Sequence, residues 1–381
     1  MAQVISRDLR VDEADLVAGF FHEHWRPDHI FFRDRQLLLW QFFDNPYAHL
    51  YSQGLTFKAA FDSKAMVGVM GYMPFVFNRY GSRKYGCHLS NWWVDPAYRR
   101  SPVAMGLLHE MQYRMDFDVC MAGILTPVAE RLYELLSWVV VRNMSRLVLP
   151  IDQERFLRLL DPTGQKVWER IRLARCSSGP PIKGNGTSEG VVEVSELASF
   201  DSLVPLAWDD FYWKQLAPSH MGPARETAFL VWRYQKIPGF KYRGVIAMSA
   251  GRVCGLLIFR VEQVKDREEK VIRLVDLVTQ ASAAVPLIRS LVEEARVQKA
   301  TMVDFFNTNS MYMAALTSCG FIDARNSTEE SYWVPFLFQP LDYERNRLNC
   351  AWWIRNMDLH GTAAHDDFGI TKGDNEFDRP N

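Results

Sequence analysis

One segment of this chain occurs twice. Leu37-Leu-Leu-Trp40-Gln-Phe-Phe-Asp-Asn-Pro46 returns as Phe229-Leu-Val-Trp232-Arg-Tyr-Gln-Lys-Ile-Pro238, with both landmarks at one offset of 192 residues (232 − 40 and 238 − 46). A second pair follows in the same order. Lys58-Ala-Ala-Phe-Asp-Ser-Lys-Ala-Met-Val-Gly68 parallels Val245-Ile-Ala-Met-Ser-Ala-Gly-Arg-Val-Cys-Gly255, now at 187 (255 − 68), so the second copy has the shorter connection. Like segments in like order mean a fold built from two related units.

Hydrophobic spacing gives the unit its content. Helical periodicity covers 11–25 and 34–43, the latter ended by Asn45-Pro46. Strands are expected at 55–61 and 67–77 around the turn Asp62-Ser63-Lys64, then at 82–87 and 88–94. A helix from Ala104, a strand at 118–125, a helix at 127–136 and a strand at 139–149 complete the first unit. In the second copy, 272–278 is the central strand and 286–297 its helix, with 301–306, 310–318 and 321–338 after them. The expected class is α/β, with tandem lobes that are each a mixed central sheet flanked by helices. Cys176-Ser-Ser-Gly-Pro-Pro-Ile-Lys-Gly-Asn-Gly is the densest Gly/Pro/Ser stretch. It divides the chain into a first lobe at 1–175, a linker at 176–190 and a second lobe at 191–381.

Chemistry concentrates around 88–108. His88-Leu-Ser-Asn-Trp-Trp-Val94 reads as a buried strand, Asp95-Pro96 stops it, and Arg99 and Arg100 stand in the loop before the helix. A strand, a basic loop and a helix start make an anion site, because the first helical N–H groups lack partners and arginine keeps its charge. The turn of the second copy, Thr279-Gln-Ala-Ser-Ala-Ala-Val-Pro286, has no arginine, and Leu316 falls opposite Tyr133. The first lobe is therefore expected to hold an anionic cofactor and the second to supply structure and substrate surface.

Composition removes several classes. The formal net charge of −1 implies no general attraction to nucleic acid or membrane. The six cysteines, at 87, 120, 176, 254, 319 and 350, include no Cys-x-x-Cys pair, which points to a reduced, cytoplasmic setting without zinc. No apolar run is long enough to span a bilayer.

Val94-Asp-Pro-Ala-Tyr-Arg99-Arg-Ser-Pro-Val-Ala104 resembles the acyl-CoA loop of the GNAT acyltransferase superfamily, Val-x-Pro-x-Tyr-Arg overlapping Arg/Gln-x-x-Gly-x-Gly/Ala. Pro102 stands where the first glycine belongs, which removes one N–H from the loop. The resemblance implies acyl-CoA as co-substrate and no metal. Trp92, Trp93 and Val94 would hold the pantetheine through their backbone, and Arg99, Arg100, Ser101, Val103 and Ala104 the pyrophosphate. Tyr133, in a Leu-Tyr pair on the later helix as in the family, becomes the general acid that protonates the leaving thiolate. His88 is the candidate base, with Asn91 and Ser90 as groups that could position a water.

The opening His24-Trp25-Arg26-Pro27-Asp28-His29 and the ending Lys372-Gly-Asp-Asn-Glu-Phe-Asp378-Arg379-Pro380 resemble the bacterial sugar N-acyltransferases of this superfamily. That likeness implies transfer of an acyl group, of the 3-hydroxybutanoyl type, from CoA to the amine of a dTDP-linked amino sugar for surface polysaccharide. Trp25, His29, Tyr332, Trp333 and Arg379 are then the acceptor contacts. Two other readings share the doubled fold. A FemAB-like aminoacyl transferase would present a basic surface to tRNA, against which the net charge of −1 counts. A non-catalytic scaffold would need no intact loop, which suits Pro102.

Overall fold

The computed structural model describes residues 4–160, 191–308, 310–324, 334–336, 338–339, 341–342, 348–356, 367–374 and 378. The chain opens with β1 (Val4–Leu9) and two helices, Ala14–His24 and Arg35–Phe42. The latter is capped by Asp34, whose carboxylate accepts from the Leu37 N–H at 2.9 Å. Strands β2 (Leu55–Asp62), β3 (Ala65–Arg79) and β4 (Ser82–Val94) form an antiparallel meander, and β5 (Val119–Gly123) returns parallel to β4 after helix Val103–His109. The two strands expected at 82–87 and 88–94 are one, because no turn residue interrupts the pairing with β3 from Arg79 onward.

The strand expected at 139–149 is instead two. β6 (Val139–Val141) and β7 (Ser145–Pro150) are separated at Arg142-Asn143-Met144 and lie in different sheets. The second half supplies β8 (Val192–Leu197), β9 (Met221–Pro223), β10 (Arg243–Ser249), β11 (Arg252–Gln263), β12 (Lys270–Thr279), β13 (Met302–Asn307), β14 (Ile322–Asp323) and β15 (Cys350–Ile354). One sheet runs β1-β2-β3-β4-β5-β15-β6, with β9 on the far end of β3. The other runs β14-β7-β13-β12-β11-β10-β8. The expected doubled α/β architecture is present, and the halves exchange strands: β7 enters the second sheet, while β9 and β15 enter the first.

The repeated glycines have a common reason. A Cβ on Gly68 would stand 2.8 Å from Val103 Cγ1, and one on Gly255 2.9 Å from Leu287 Cδ1. In each lobe the helix after the central strand lies on this residue, and only glycine lets it approach. That second helix, Ala281–Val297, starts five residues before Pro286, where the sequence placed its start. Pro286 lies inside this helix and has no N–H to give the carbonyl of Ser282. One apolar cluster crosses between the halves, joining Phe21, Trp40 and Phe57 to Trp208, Trp232 and Val275. Among the described residues, no helix is long and apolar enough to cross a membrane.

Candidate active site at a fork in the first sheet

Strands β4 and β5 pair in parallel only from Gly86–Val119 to Leu89–Ala122. Beyond that point both backbones turn. On β4, Met70 of β3 faces two residues, Asn91 and Trp92, and this bulge sets Asn91 at φ 51°. On β5, Ile124 follows at φ 56°, and Asn349, just before β15, draws the next residue away. Its side chain accepts from the Leu125 N–H at 2.7 Å and donates to the Leu125 carbonyl at 2.9 Å. A β-branched residue in the left-handed region is strained, and such strain gathers where a fold holds a site open. The result is a fork, where the two strands part.

Alternation along β4 sorts the candidate residues by face. Cys87 and Leu89 pack with Tyr133 and Trp138 under helix Val103–His109. His88 lies on the opposite face. It lines a small interlobe cavity of about 20 Å³ with Gln41, Trp40, Trp232, Arg233 and Asp374, room for about one water. The candidate acid and base are therefore on opposite faces of β4. Ser90 Oγ accepts from Gln41 Nε2 at 3.4 Å and from Asn91 Nδ2 at 2.5 Å, which ties the bulge to helix Arg35–Phe42.

Tyr133 is buried, with its ring 4.3 Å from Trp138 and 6.2 Å from Trp92. Burial pushes its phenol well above the usual value, so it stays protonated. Helix Pro127–Leu135 holds it there, with Thr126 as N-cap accepting from the Ala129 N–H at 3.2 Å.

The basic loop folds as a short turn. Asp95 caps it through the Ala97 N–H at 2.8 Å, and Tyr98 donates to Asp62 at 2.7 Å. Ser101 Oγ is engaged by the Tyr98 carbonyl at 2.6 Å. Val94 and Val103 are core residues, whereas Arg99 and Arg100 are exposed. Arg99 lies 5.0 Å from the ring of Trp93, which stacks on Trp25 at 5.0 Å with the planes 6° apart. Trp25, expected at the acceptor, and Arg99, expected at the cofactor, thus meet on Trp93 in one cation–aromatic stack. His29 does not share that exposure. It is 3% exposed, stacks on Phe21 and caps the next turn through the Phe31 N–H. Tyr332, Trp333, Arg379 and the linker at 176–190 lie outside the described residues.

Lys372, Asp374 and Asp378 form a buried clasp. Lys372 donates to the Asp304 carbonyl at 2.9 Å, and Asp374 pairs with Arg225 at 2.7 Å. Asp378 pairs with Arg260 at 2.9 Å, sits 3.4 Å from Arg273 and accepts from Tyr242 at 2.8 Å. Asp276, which also binds Arg225 through two bonds of 2.9 Å, joins the same network. Sequence reasoning missed these groups, although charged residues within apolar strands demand partners. Asn349 and Ile124 were missed as well, and neither carries a local signal.

Comparison with solved structures identifies the architecture. A GCN5-related N-acetyltransferase from Anabaena variabilis ATCC 29413 superposes with a TM-score of 0.57 at 13% identity, over 93% of this chain and 73% of that one. A GCN5-related N-acetyltransferase from Kribbella flavida gives 0.52 at 10%, over 92% and 71%. A conserved protein of Enterococcus faecalis V583 described as a probable N-acyltransferase gives 0.53 at 12%, over 80% of this chain and 66% of its own length. At such identities the likeness is one of fold. This chain has the GNAT fold, in two lobes. No family model matches it, and no curated protein does. Among the described residues, no group of three or more His, Cys, Asp and Glu side chains is placed to hold a metal ion.

Proposed function

We propose that the protein is an acyl-CoA-dependent N-acyltransferase whose first lobe holds the cofactor. The observation that carries this reading is the fork itself, where parallel pairing stops at Leu89–Ala122 and an exposed pair of arginines follows five residues after Val94. An extended pantetheine would continue the ladder along 90–94, where β4 has outrun β5, and Arg99 and Arg100 would meet the pyrophosphate. The thioester would reach the fork on the Tyr133 face. The amine would come from the His88 face, its proton passing to the imidazole through the one water the cavity admits. Transfer then runs through the sheet: the nitrogen attacks the carbonyl, the C–S bond breaks, and the protonated Tyr133 gives its proton to the thiolate.

The acceptor in this reading is the amine of a nucleotide-linked amino sugar, as the ends of the chain suggest. The Trp25–Trp93 stack supports it, since it offers an aromatic face for a nucleobase beside the fork. Calorimetry with CoA tests the cofactor site. Arg99→Ala with Arg100→Ala should weaken binding roughly ten- to hundredfold, the scale of charged hydrogen bonds. Unchanged affinity in the folded variant overturns the placement. Incubation with acetyl- or 3-hydroxybutanoyl-CoA and dTDP- or UDP-amino sugars, following released thiol, tests the acceptor. Thiol release with none of them, in protein that binds CoA, overturns the sugar reading.

A further inference from the structure

The second sheet has a fork of its own. β12 and β13 pair in parallel over only three residues, Val271–Arg273 with Met302–Asp304, and then separate. A cavity of about 840 Å³ lies between them, walled by the ends of both strands and the start of helix Ala281–Val297. This is within the size range of small-molecule sites. It is also the place in the second lobe that corresponds to the cofactor fork of the first, yet its chemistry differs in two ways.

First, the backbone that would receive a pantetheine is already taken. Tyr312 Oη accepts from the Thr279 N–H at 3.0 Å and lies 3.2 Å from the Thr279 carbonyl. Thr279 pairs with Gly255 as Val94 pairs with Gly68, so the tyrosine stands where the ladder of the first fork continues. Second, among the described lining residues no cation is left for a phosphate. Arg225, the one arginine or lysine among the described lining residues, already binds Asp276, Asp374, the Pro223 carbonyl at 3.0 Å and Thr371 Oγ1 at 3.0 Å. His220 is neutral near pH 7, because burial lowers its pKa to about 4. The helix start offers N–H groups without a charged side chain beside them.

The rest of the described lining is neutral and polar, with the amides of Gln215 and Gln280 and the hydroxyl of Ser282, beside Ser219, whose hydroxyl donates to the Leu216 carbonyl at 2.8 Å, around an apolar wall that includes Leu277 and Val285. Such groups both donate and accept, as a ligand with many hydroxyls requires, and the wall receives the C–H face of a ring. The geometry points to a second binding site in the fork between β12 and β13, one that takes an uncharged sugar and excludes nucleotides and CoA. Selection here rests on the lack of an unengaged cation among the described lining residues, since a phosphate would lose its water without gaining a counter-charge from them.

Calorimetry and ligand-observed NMR with methyl α-D-galactopyranoside, methyl α-L-fucopyranoside and N-acetyl-D-glucosamine test this directly, without CoA. At least one should bind saturably, with an affinity insensitive to salt. Ser282→Trp and Ala281→Trp, both at exposed rim positions, should each lower that affinity about tenfold or more, while CoA binding stays as in the unchanged protein. Binding of none of the three sugars overturns the proposal. So does sugar binding that neither variant disturbs, or displacement of the sugar by dTDP or CoA in the Arg99→Ala, Arg100→Ala background. Failure of acyl transfer alone would strike the first fork and leave this one standing.

Discussion

Trp40 and Trp232 hold each other by the same bond made twice. The indole N–H of Trp40 donates to the Trp232 carbonyl at 2.9 Å, and that of Trp232 donates to the Trp40 carbonyl at 2.9 Å. Their rings stack with centroids 4.8 Å apart and planes 15° apart, at 4% and 5% exposure. Such reciprocity is what a two-fold axis produces, so the repeated segments meet as the two faces of an isologous interface do between subunits.

That reciprocity sets an expectation for stability. Either Trp40→Ala or Trp232→Ala should cost about 3–5 kcal/mol in urea unfolding, from lost burial and an emptied volume. The double variant should cost clearly less than the two together, because each single change already takes away the donor to its partner's carbonyl and the ring its partner stacks on. Coupling of about 0.5–3 kcal/mol is the range for residues in contact. Strict additivity would show that the two rings act separately.

Tyr133→Phe should lower turnover by about 10²–10⁴-fold with CoA affinity nearly unchanged, as befits a proton donor that acts in the transition state. Burial raises the phenol well above its ordinary value. The unchanged enzyme should therefore show no loss of rate from this group up to pH 9 or so, near the unperturbed value of about 10. Wild-type turnover in the phenylalanine variant would transfer the role to another donor.

His220 gives a pH signature in the folding equilibrium. Its Nδ1 lies 3.2 Å from the Leu216 carbonyl, and its pKa falls from 6.5 to about 4 on folding. Between those values the unfolded chain binds the extra proton, so stability rises with pH across that window. The contribution is full above pH 6.5 and is lost as pH falls toward 4. His220→Gln should flatten this part of the urea midpoint profile between pH 7 and 4. An unaltered slope would assign the acid sensitivity elsewhere.

The clasp should be indispensable to folding. Asp378→Ala leaves Arg260 and Arg273 buried without that carboxylate, which should cost about 3–5 kcal/mol. Gly373→Ala should be severe for a steric reason, since its Cβ would stand 1.9 Å from Tyr234 Oη and 2.6 Å from Asp276 Oδ2. Near-native melting of both variants would mean that the segment merely lies on the surface.

Much of this architecture was legible in the residues. The Trp and Pro landmarks gave the doubling, and the alternation along 55–94 gave the meander. The basic loop was legible because arginines beside a helix start are unusual in themselves. The fork was not, because its two backbone reversals use Asn91 and Ile124 rather than glycine. β15 was equally silent. Cys-Ala-Trp-Trp-Ile is an ordinary strand, and nothing local says that it crosses to partners more than two hundred residues earlier. The clasp had a signal that went unread: Arg260, Arg273, Asp276 and Asp304 sit among buried aliphatic neighbours and had to find counter-charges. Its partners lie in strands far upstream.

The exchange of β7 and β15 also fixes an order of events during synthesis. When the ribosome has released the first lobe, its sheet ends at β5, because the strand that joins β5 to β6 is encoded near residue 350. An unpaired parallel edge must wait through most of translation, the exposure that invites wrong partners. The same braid closes a route of descent. A gene cut between β7 and β8 would yield two fragments that each lack a strand the other carries, so neither half could complete its sheet alone.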